Sequence, residues 1–291
     1  MSKILVVGAN GMIGSTIFKT LLKQFGLPVW GSVRNSACIH AFPEPVRNQL
    51  FVGPDVRDFA AFSSFIFESK PSLVINCVGV TKHVEEGKDS KTAIAVNSLF
   101  PHQLSEICSA ISARIIHIST DCVFSGNRGN YDESDEPDSV DLYGRSKALG
   151  EIFGENALTI RTSTIGPELE SKNGLLEWFL AQRDRCRGFS NAIFSGLPTV
   201  TLAEIIRDVI IPTPKLKGLY HVGGASITKL DLLNLIAHVY RIQIDIHNDS
   251  SLIIDRSLNS SRFEVATGYR APDWESLIFA MHENHMGVTH A

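Results

Sequence analysis

Short runs of β-branched and other apolar residues alternate with longer amphipathic stretches from Lys3 to Thr162. This alternation predicts an α/β fold, a doubly wound parallel sheet with helices on both faces. The predicted strands are Ile4–Val7, Val29–Val33, Leu50–Val52, Leu73–Asn76, Arg114–Ile118 and Leu158–Arg161. The predicted helices are Met12–Phe25, Lys91–Ile111 and one that begins near Leu142, after a loop at Asn127–Val140.

The pattern is less regular after Thr162, where it predicts short mixed elements. They are helices at Gly174–Arg183, Leu202–Ile210, Lys229–Tyr240 and Trp274–Glu283, an extended segment at Phe189–Phe194 and a short strand at Tyr220–Val222. We therefore expect a first domain of residues 1–162, to which residues 196–222 return. Residues 163–195 and 223–285 are expected to form a small C-terminal α/β substrate lobe. A tail is expected at residues 286–291, with fraying from Asn284 onward.

The composition is that of an ordinary globular protein, with 44% hydrophobic and 20% charged residues among 291. A net charge of −4 gives no general attraction to nucleic acid or anionic membranes. The longest apolar runs are too short to span a bilayer. Because Lys3–Val7 already reads as a core strand, we expect no cleaved leader and a cytoplasmic location.

Cysteine and histidine spacing gives no metal signature. The five cysteines include no close CxxC pair, which predicts reduced thiols rather than disulfides or a structural zinc site. His83, His117 and His221 are scattered and share no ligand spacing, so loop, strand or core roles are favoured over metal binding or acid–base chemistry. We expect no metal.

Glycines recur between the first predicted strand and the first predicted helix, in the order G-x-x-G-x-x-G. In this context they predict the dinucleotide-binding turn of a Rossmann-type domain. Glycine permits the tight turn, and the unpaired N–H groups at the helix N-terminus attract a pyrophosphate. The spacing is one residue longer than the usual G-x-G-x-x-G, and a glycine-rich loop without a ligand is the alternative. The cofactor-binding residues expected here are Gly8, Asn10, Gly11, Met12, Ile13 and Gly14.

The residues after the second and third predicted strands bear on the choice of cofactor. An Asp or Glu after the second strand would favour NAD, but this chain has Arg34 there. Because an arginine can pair with a 2′-phosphate through two bonds, NADPH is favoured and NADH remains possible. A solvated surface arginine is the alternative. Asp55 and Val56 follow the third strand, where the carboxylate could accept from the adenine amino group.

Tyr143 and Lys147 have the spacing needed to protonate a carbonyl oxygen. They lie four residues apart, on one face of a helix. The ammonium is expected to lower the pKa of the phenol and can also bond the nicotinamide ribose. Thr120, just beyond the fifth predicted strand, is placed to hydrogen-bond the same carbonyl. A pair of helix-surface residues is the alternative, and the upstream glycine turn argues against it.

These motifs resemble those of the extended short-chain dehydrogenases/reductases, and within that group the chain is most similar to dTDP-4-dehydrorhamnose reductases. The resemblance covers nearly the whole chain. Its most specific blocks are Ser119–Phe124 and Tyr143–Lys147. The supporting blocks are Gly8–Gly14, Asn76–Thr81 with Val84-Glu85, Asn97, Gly150-Glu151, Arg161–Ser163 and Gly196–Thr199.

The resemblance implies NADPH-dependent reduction of the 4-keto group of a 6-deoxyhexose attached to a nucleoside diphosphate, in surface polysaccharide or O-antigen sugar synthesis. The implied catalytic triad is Thr120, Tyr143 and Lys147. The implied cofactor-lining residues are Cys77, Val78, Gly79 and Asn97. The residues implied near the sugar are Thr81, Val84 and Asp121.

The chain departs from that family at three places. Cys122 and Thr164 stand where the rhamnose-pathway enzymes usually or often carry aromatic residues, so two surfaces against which a hexose could pack are missing and the sugar is left open. Ser15-Thr16 stand where some of these reductases carry a glutamate of a metal site between subunits. We therefore expect a monomer or a homodimer without metal-dependent dimerisation.

Cys122 matches the position at which epimerising reductases similar to GDP-fucose synthase carry a catalytic cysteine. A thiolate there could remove a proton next to the ketone. The segment Ser171–Leu180 supplies no histidine acid, so a small residue lining the pocket is the favoured interpretation. The related 4,6-dehydratases carry Asp-Glu after the threonine, and Asp121-Cys122 lacks that glutamate, which disfavours dehydration.

Two further hypotheses stay open. Arg256 and Arg262, in a late segment of the lobe, are candidates to bind the diphosphate, with surface salt bridges as the equal alternative. The regulatory subunit of methionine adenosyltransferase resembles this fold, so a non-catalytic NADP-binding subunit is a second reading of the chain. An intact Thr-Tyr-Lys triad argues against it.

Overall fold

The computed structural model describes residues 3–24, 28–82, 84–169 and 172–289. The strands are β1 (Ile4–Val7), β2 (Val29–Val33), β3 (Leu50–Val52), β4 (Leu73–Asn76), β5 (Arg114–Thr120), β6 (Ala157–Thr162), β7 (Thr164–Ile165), β8 (Arg185–Phe189), β9 (Ala192–Phe194), β10 (Leu197–Pro198), β11 (Gly218–His221), β12 (Ile227–Thr228), β13 (Asp245–Asp249) and β14 (Ile254–Asp255).

The α-helices are α1 (Met12–Gln24), α2 (Ser36–His40), α3 (Phe59–Ser69), α4 (Ser90–Ala93), α5 (Phe100–Ala110), α6 (Leu142–Leu149), α7 (Leu175–Leu180), α8 (Thr199–Ile205), α9 (Lys229–Tyr240), α10 (Ser261–Thr267) and α11 (Trp274–Thr289). Two segments wind as wider π-helices, Ile94–Leu99 between α4 and α5 and Ile206–Ile210 after α8. Tighter 3₁₀ turns lie at Glu44–Gln49, Glu85–Gly87 and Asp121–Val123.

A seven-stranded sheet forms the centre of the molecule, in the order β11-β6-β5-β4-β1-β2-β3. Every neighbouring pair in it is parallel. The predicted α/β fold with a parallel sheet is confirmed.

Alternate residues of each strand enter opposite layers of the core, as the two-residue period of a strand requires. In β1, Ile4 and Val6 pack in the cluster that contains Ile17, Phe18 and Leu21 of α1. Leu5 and Val7 pack in a second cluster with residues of α3 and α5. Both faces of the sheet are therefore covered by helices, which explains why its strands are continuous apolar runs.

Three small sheets lie outside the central one. β7 pairs with β10, and β8 pairs with β13, both in parallel. β9 lies between β12, which is antiparallel to it, and β14, which is parallel. These pairings join segments that are far apart in the chain.

Several element predictions need correction. The expected helix Lys91–Ile111 is divided by the π-helical segment, and α2 and α3 were not predicted. The expected single extended segment at Phe189–Phe194 is two strands, β8 and β9. Residues from Asn284 were expected to fray, but α11 continues to Thr289, and residues 290–291 lie outside the described residues. Among the helices that the structure describes, none combines the length and hydrophobicity needed to cross a membrane.

Candidate active site

The parallel sheet brings most of the predicted site residues to one edge. Because all its strands run in the same direction, the residues that follow β1, β2, β4 and β5 lie at a common C-terminal edge. The chain moves from β1 to β2 on one side and later places β4 on the other side of β1. Sheets of this kind bind ligands in the crevice at such a reversal of strand order. The candidate site therefore lies over β1 and β4.

The glycine turn is closed on its inner side and open on its outer side. Gly8 has a φ of +79°, a left-handed conformation that favours glycine. A Cβ on Gly14 would lie 2.2 Å from the Gly8 carbonyl oxygen, so α1 can start this close to β1 only with glycine there. At Gly11 the one atom within 4 Å of such a Cβ is the Gly8 oxygen, at 3.6 Å. This opening at the N-terminus of α1, where Met12 and Ile13 supply the first N–H groups, fits a pyrophosphate.

Charged groups gather where an adenosine ribose would lie. Arg34 follows β2 with a side chain that is 70% exposed, and its guanidinium is 3.5 Å from the carboxylate of Glu86. Asp55 follows β3 and accepts from the backbone N–H of Arg57 at 2.9 Å and from its Nε at 3.0 Å. These bonds lower the pKa of Asp55, and the positive charge of Arg34 acts in the same direction. The Asp55 carboxylate is thus engaged by Arg57 rather than open to an adenine amino group.

Asn76, the last residue of β4, holds the turn that continues through Cys77, Val78 and Gly79. Its Oδ1 accepts from the N–H of Val78 at 3.1 Å, and its Nδ2 lies 3.1 Å from Nδ1 of His117. Because the amide nitrogen is the donor, Nδ1 of His117 is the acceptor and the ring proton lies on Nε2. Burial holds the pKa of His117 well below its ordinary value, so the ring is neutral. His117 therefore supports the turn from the core.

Asn97 connects the same turn to the helix that carries Tyr143. Its Oδ1 accepts from the N–H of Val80 at 2.9 Å, and its Nδ2 donates to the Val80 carbonyl at 2.9 Å and to Ser146 Oγ at 3.1 Å. Asn97 is buried and lies in the π-helical segment before α5. Widened turns of this kind are frequent at functional sites.

Thr120 and Tyr143 meet at the end of β5. The phenol lies close enough to the hydroxyl of Thr120 for that hydroxyl to lower the pKa of Tyr143. Thr120 Oγ1 also accepts from the N–H of Cys122 at 3.1 Å and lies 3.1 Å from Oδ1 of Asp121. The structure thus brings together the two hydroxyl groups that were predicted to contact one carbonyl oxygen.

Gly144 permits this meeting. A Cβ on Gly144 would lie 2.1 Å from the carbonyl oxygen of Cys122 and 2.2 Å from Oγ of Ser139. Its N–H also donates to the carboxylate of Asp141, the N-cap of α6, at 2.7 Å. A larger residue would push α6 away from the turn after β5 and would separate the phenol from the threonine.

The pKa of Tyr143 is raised, whereas a lowering was expected. Burial raises the pKa of Tyr143 well above its ordinary value, and the neighbouring Cys122 and Asp121 act in the same direction, against the hydroxyl of Thr120. A phenol that keeps its proton is the form that can give a proton to an alkoxide, which is a stronger base.

Lys147 is buried beside the cofactor turn. Its Nζ donates to the carbonyl of Ile118 at 2.8 Å, and it lies 3.9 Å from the position that a Cβ on Gly79 would take. Burial lowers the pKa of Lys147 to about 8, while Glu151 and Cys77 act to raise it. The side chain is therefore largely charged at neutral pH, as a donor to a ribose hydroxyl should be.

A buried ion pair lies just beyond the C-terminal end of α6. Arg161 on β6 donates from Nε and from a terminal nitrogen to the two oxygens of Glu151, each at 2.7 Å. Ser119 Oγ donates to the same carboxylate at 2.8 Å, and Nε2 of His221 lies 3.3 Å from the Arg161 guanidinium. Both charged side chains are less than 5% exposed. The pair thus ties the end of α6 to β5, β6 and β11.

Asp121, Cys122 and Arg256 form the start of the predicted substrate side. Nε of Arg256 donates to the carbonyl of Phe124 at 2.8 Å, and a terminal nitrogen lies 3.6 Å from the sulfur of Cys122. Burial raises the pKa of Asp121, and Arg256 acts against this rise. Burial also raises the pKa of Cys122 to about 12, so its thiol is protonated at neutral pH.

The remaining predicted substrate residues are less closely grouped. Thr81 is exposed and its carbonyl accepts from the N–H of Val84 at 3.2 Å, in the turn after β4. Thr164 lies on β7, next to Ser163, which is close enough to Asp121 to lower the pKa of that carboxyl. Arg262 is exposed and its guanidinium lies 4.9 Å from the ring centroid of Tyr220. The structure therefore gives Arg262 an aromatic partner rather than a place beside Arg256.

Sequence reasoning missed three charged residues of this region. Arg57 had a detectable signal, because it stands two residues after the predicted Asp55. Glu151 stands in a block that supports the family resemblance, just beyond the C-terminal end of α6, but no role was predicted for it. Lys229, the first residue of α9, is electrostatically coupled to Asp121. No local pattern indicates Lys229, because this proximity depends on the small sheets. His83 lies outside the described residues, and within them no group of His, Cys, Asp and Glu could hold a metal ion.

Comparison with known proteins adds relatives of this chain. A family model described as the RmlD substrate binding domain matches residues 2–253. A probable low-salt glycan biosynthesis reductase, Agl14 of Haloferax volcanii, is 36% identical over 165 residues, which are 55% of this chain and 52% of that protein. A dTDP-4-dehydrorhamnose reductase of Streptomyces griseus is 30% identical over 183 residues, 60% of this chain and 54% of that protein. The chain thus spans about half the length of these two relatives.

A third relative and one solved structure match over a longer part of the chain. The methionine adenosyltransferase 2 subunit beta of Bos taurus is 28% identical over 258 residues, 82% of this chain and 72% of that protein. The crystal structure of dTDP-4-dehydrorhamnose reductase from Bacillus anthracis, in complex with NADP, superposes with a TM-score of 0.79. It covers 98% of this chain and 99% of its own, at 19% identity, which establishes a shared fold.

Proposed function

Because the chain belongs to the RmlD substrate-binding-domain family, we propose that it is an NADPH-dependent reductase of a nucleotide-activated sugar. The reaction is reduction of the 4-keto group of a 6-deoxyhexose on a nucleoside diphosphate, in surface polysaccharide or O-antigen sugar synthesis. The observation that carries the proposal is the closeness of the Thr120 hydroxyl and the buried phenol of Tyr143, together with the open glycine turn. The two relatives named as reductases support the same chemistry.

The residues of the chain divide the work of the reduction. Bound NADPH would supply the hydride. Thr120 and Tyr143 would hold the ketone oxygen between their hydroxyl groups, and Tyr143 would pass its proton to that oxygen as negative charge develops on it. The high pKa of Tyr143 keeps that proton in place until an alkoxide forms. Lys147 would orient the cofactor through a ribose hydroxyl.

The arginines after β2 and β3 support NADPH over NADH. Arg34 and Arg57 both bring positive charge to Asp55, at the ends of adjacent strands. A 2′-phosphate placed between them would accept charge-assisted hydrogen bonds from two planar guanidinium groups. We also propose that residues 1–162 and 196–222 hold the cofactor, and that residues 163–195 and 223–285 form the substrate lobe.

The test is NADPH consumption with a panel of nucleoside diphosphate 4-keto-6-deoxyhexoses, for the native protein and for Tyr143→Phe. We expect turnover with at least one sugar and a loss of roughly 10²- to 10⁴-fold in the variant, the usual contribution of a positioned general acid. NADPH affinity should be unchanged, because the variant keeps the ring. Equal turnover by both proteins would remove Tyr143 from the mechanism.

A non-catalytic NADP-binding subunit is the second candidate function. It is favoured by the longer match to the methionine adenosyltransferase subunit beta, which covers 72% of that protein. Tight NADPH binding without turnover of any sugar in the panel would support this candidate. The intact arrangement of Thr120, Tyr143 and Lys147 favours the reductase, since a binding-only subunit has no chemical need for a proton donor.

Epimerisation through Cys122 is disfavoured by the state of its thiol. A base at this position must be a thiolate, and burial raises the pKa of Cys122 to about 12. Retained cofactor with no net NADPH consumption would be the mark of an epimerase in the same assay.

A further inference from the structure

Glu86 is a carboxylate that reaches across the cofactor crevice to Arg34. Arg34 directly follows β2, whereas Glu86 lies in the 3₁₀ turn Glu85–Gly87 in the segment after β4. β1 lies between β2 and β4 in the central sheet, and the glycine turn begins at Gly8, just beyond β1. The ion pair of Arg34 and Glu86, with 3.5 Å between Nη1 and Oε1, therefore joins the two sides of the crevice in which a dinucleotide would lie.

The carboxylate of Glu86 adjoins both guanidinium groups that we propose for the 2′-phosphate. Besides its ion pair with Arg34, it acts on Arg57, whose pKa is raised by the hydrogen bond and charge of Asp55 and further by the charge of Glu86. The charges of these two arginines and two carboxylates sum to zero. Because a phosphate monoester carries nearly two negative charges at neutral pH, it would enter a region that is already neutralised. Phosphate and carboxylate would compete for the same guanidinium donors.

The side chain of Glu86 can leave Arg34 without a change of fold. It is 53% exposed, and within the described residues its carboxylate has no second ion pair and no hydrogen bond. The adjacent Glu85 is engaged differently, because it pairs with Lys88 of the same segment. The N–H of Lys88 also donates to the carbonyl of Glu85 at 3.0 Å, so the backbone closes this turn by itself. Since an exposed ion pair contributes little to stability, an entering phosphate can replace Glu86 at the arginine.

We propose that Glu86 competes with the 2′-phosphate of NADPH for Arg34 and thereby limits the preference of the protein for NADPH over NADH. The inference rests on the proposed function and adds a residue that sets its cofactor preference. The carboxylate both pairs with the arginine and repels the phosphate, whereas NADH presents only a 2′-hydroxyl at this place. Glu86 is thus a specificity residue that acts against the phosphate.

Fluorescence titration of NADPH and NADH into the native protein and Glu86→Gln is the first test. The variant should bind NADPH roughly threefold to tenfold more tightly, because the competing charge is gone, and NADH within about twofold of the native affinity. Glu85→Gln is the matched control, since it removes the adjacent charge of the same turn and leaves the pair of Arg34 intact. This control should leave both affinities within about twofold at physiological salt. An unchanged or weaker affinity of Glu86→Gln for NADPH, or an equal gain for both cofactors, would overturn the inference.

Adenosine 2′,5′-bisphosphate and adenosine 5′-monophosphate separate the 2′-phosphate from the rest of the cofactor. In calorimetric titrations Glu86→Gln should strengthen binding of the bisphosphate by the same factor as binding of NADPH and leave binding of the monophosphate unchanged. The same substitution should give a smaller gain in the Arg34→Met background, because competition requires the arginine. An equal gain with and without Arg34 contradicts the proposed competition.

Failure of the inference is distinguishable from failure of the proposed function. If the native protein reduces a nucleotide sugar with NADPH and Glu86→Gln binds every probe as the native protein does, the role of Glu86 is wrong and the reductase stands. If the native protein binds neither NADPH nor the bisphosphate, the proposed NADPH-dependent reduction and the inference built on it both fall.

Discussion

The central sheet and the small sheets beside it place functional residues in two different ways. In the central sheet several predicted residues lie at or just beyond the end of a strand, as Gly8 does after β1, Arg34 after β2 and Thr120 at the end of β5. In the small sheets, function depends on pairing between distant segments, as when β9 joins β12 and β14. The first arrangement is visible in a local pattern, and the second appears only when the chain is folded.

This difference explains which parts of the proposed reaction belong to which region. Gly8, Arg34 and Thr120 lie at the ends of strands of one parallel sheet, whose common edge is a property of the fold class. Arg256, which was predicted for the substrate, directly follows β14, whose place depends on its register against β9. We therefore expect changes in the first region to affect chemistry or cofactor, and changes in the second to affect substrate alone.

The largest expected effect is the loss of stability when the buried ion pair of Glu151 and Arg161 is broken. Glu151→Gln leaves the Arg161 guanidinium buried without a counter-charge and should lower the free energy of unfolding by about 3–5 kcal/mol. Glu155→Gln breaks an exposed pair with Lys217 and should cost no more than about 1 kcal/mol. Urea denaturation of both variants gives the comparison. Equal losses in the free energy of unfolding would mean that the buried pair contributes no more to stability than the exposed pair.

Gly144→Ala should have the next largest effect. The added Cβ would meet the Cys122 carbonyl at 2.1 Å, and relieving that contact should cost about 1–3 kcal/mol of stability and displace Tyr143 from Thr120. The matched control is Gly287→Ala in α11, where nothing lies within 4 Å and the helix should gain about 0.5–1 kcal/mol. Thermal unfolding and turnover measure both changes. Full activity in Gly144→Ala would contradict the close approach described for α6.

The cofactor preference should depend on both arginines after β2 and β3. Arg34→Met and Arg57→Met should each weaken NADPH binding by roughly tenfold, the effect of about 1.4 kcal/mol, and leave NADH binding nearly unchanged. Fluorescence titration of the reduced cofactors measures the ratio. If Arg57→Met weakens both cofactors equally, Arg57 acts only through its bond to Asp55 and does not read the 2′-phosphate.

Thr228→Ala should have the smallest effect and should be confined to the substrate side. Thr228 Oγ1 accepts from the N–H of Asp231 at 3.0 Å and caps α9, so its loss should cost about 1 kcal/mol and loosen Lys229. The KM for the sugar should rise while NADPH affinity and kcat stay within twofold. Thr228→Ser keeps the cap and is the control. A fall in NADPH affinity would break the separation between the two regions.

The central sheet was the most predictable part of the molecule. The bounds of β2 (Val29–Val33) and β4 (Leu73–Asn76) were predicted as the structure has them, because strands buried on both faces are apolar throughout. α3 was missed because its phenylalanines and serines do not repeat at a clear helical period. The π-helical winding around Asn97 was missed because the extra width of a turn has no residue signature in this stretch.

Within the candidate site, the limits were set by burial and by contacts across the sheets. The triad and the glycine turn were predicted from residue spacing together with the family resemblance. The sign of the pKa shift at Tyr143 does not, because it depends on how far the phenol is removed from water and on the neighbouring Cys122 and Asp121. Lys229 could not be assigned for a similar reason, since its nearness to Asp121 is produced by strand pairing.

The most direct test of the account is a single turnover with NADPH deuterated at the transferable position of nicotinamide C4. The protein is mixed with a dTDP-4-keto-6-deoxyhexose, and the position of the deuterium in the product is read by NMR. If the chain is a reductase, deuterium appears on sugar carbon 4, and the transfer is slower in Tyr143→Phe although the cofactor stays bound. Tight binding of cofactor and sugar without any transfer of deuterium would contradict it and would leave the chain as a binding subunit.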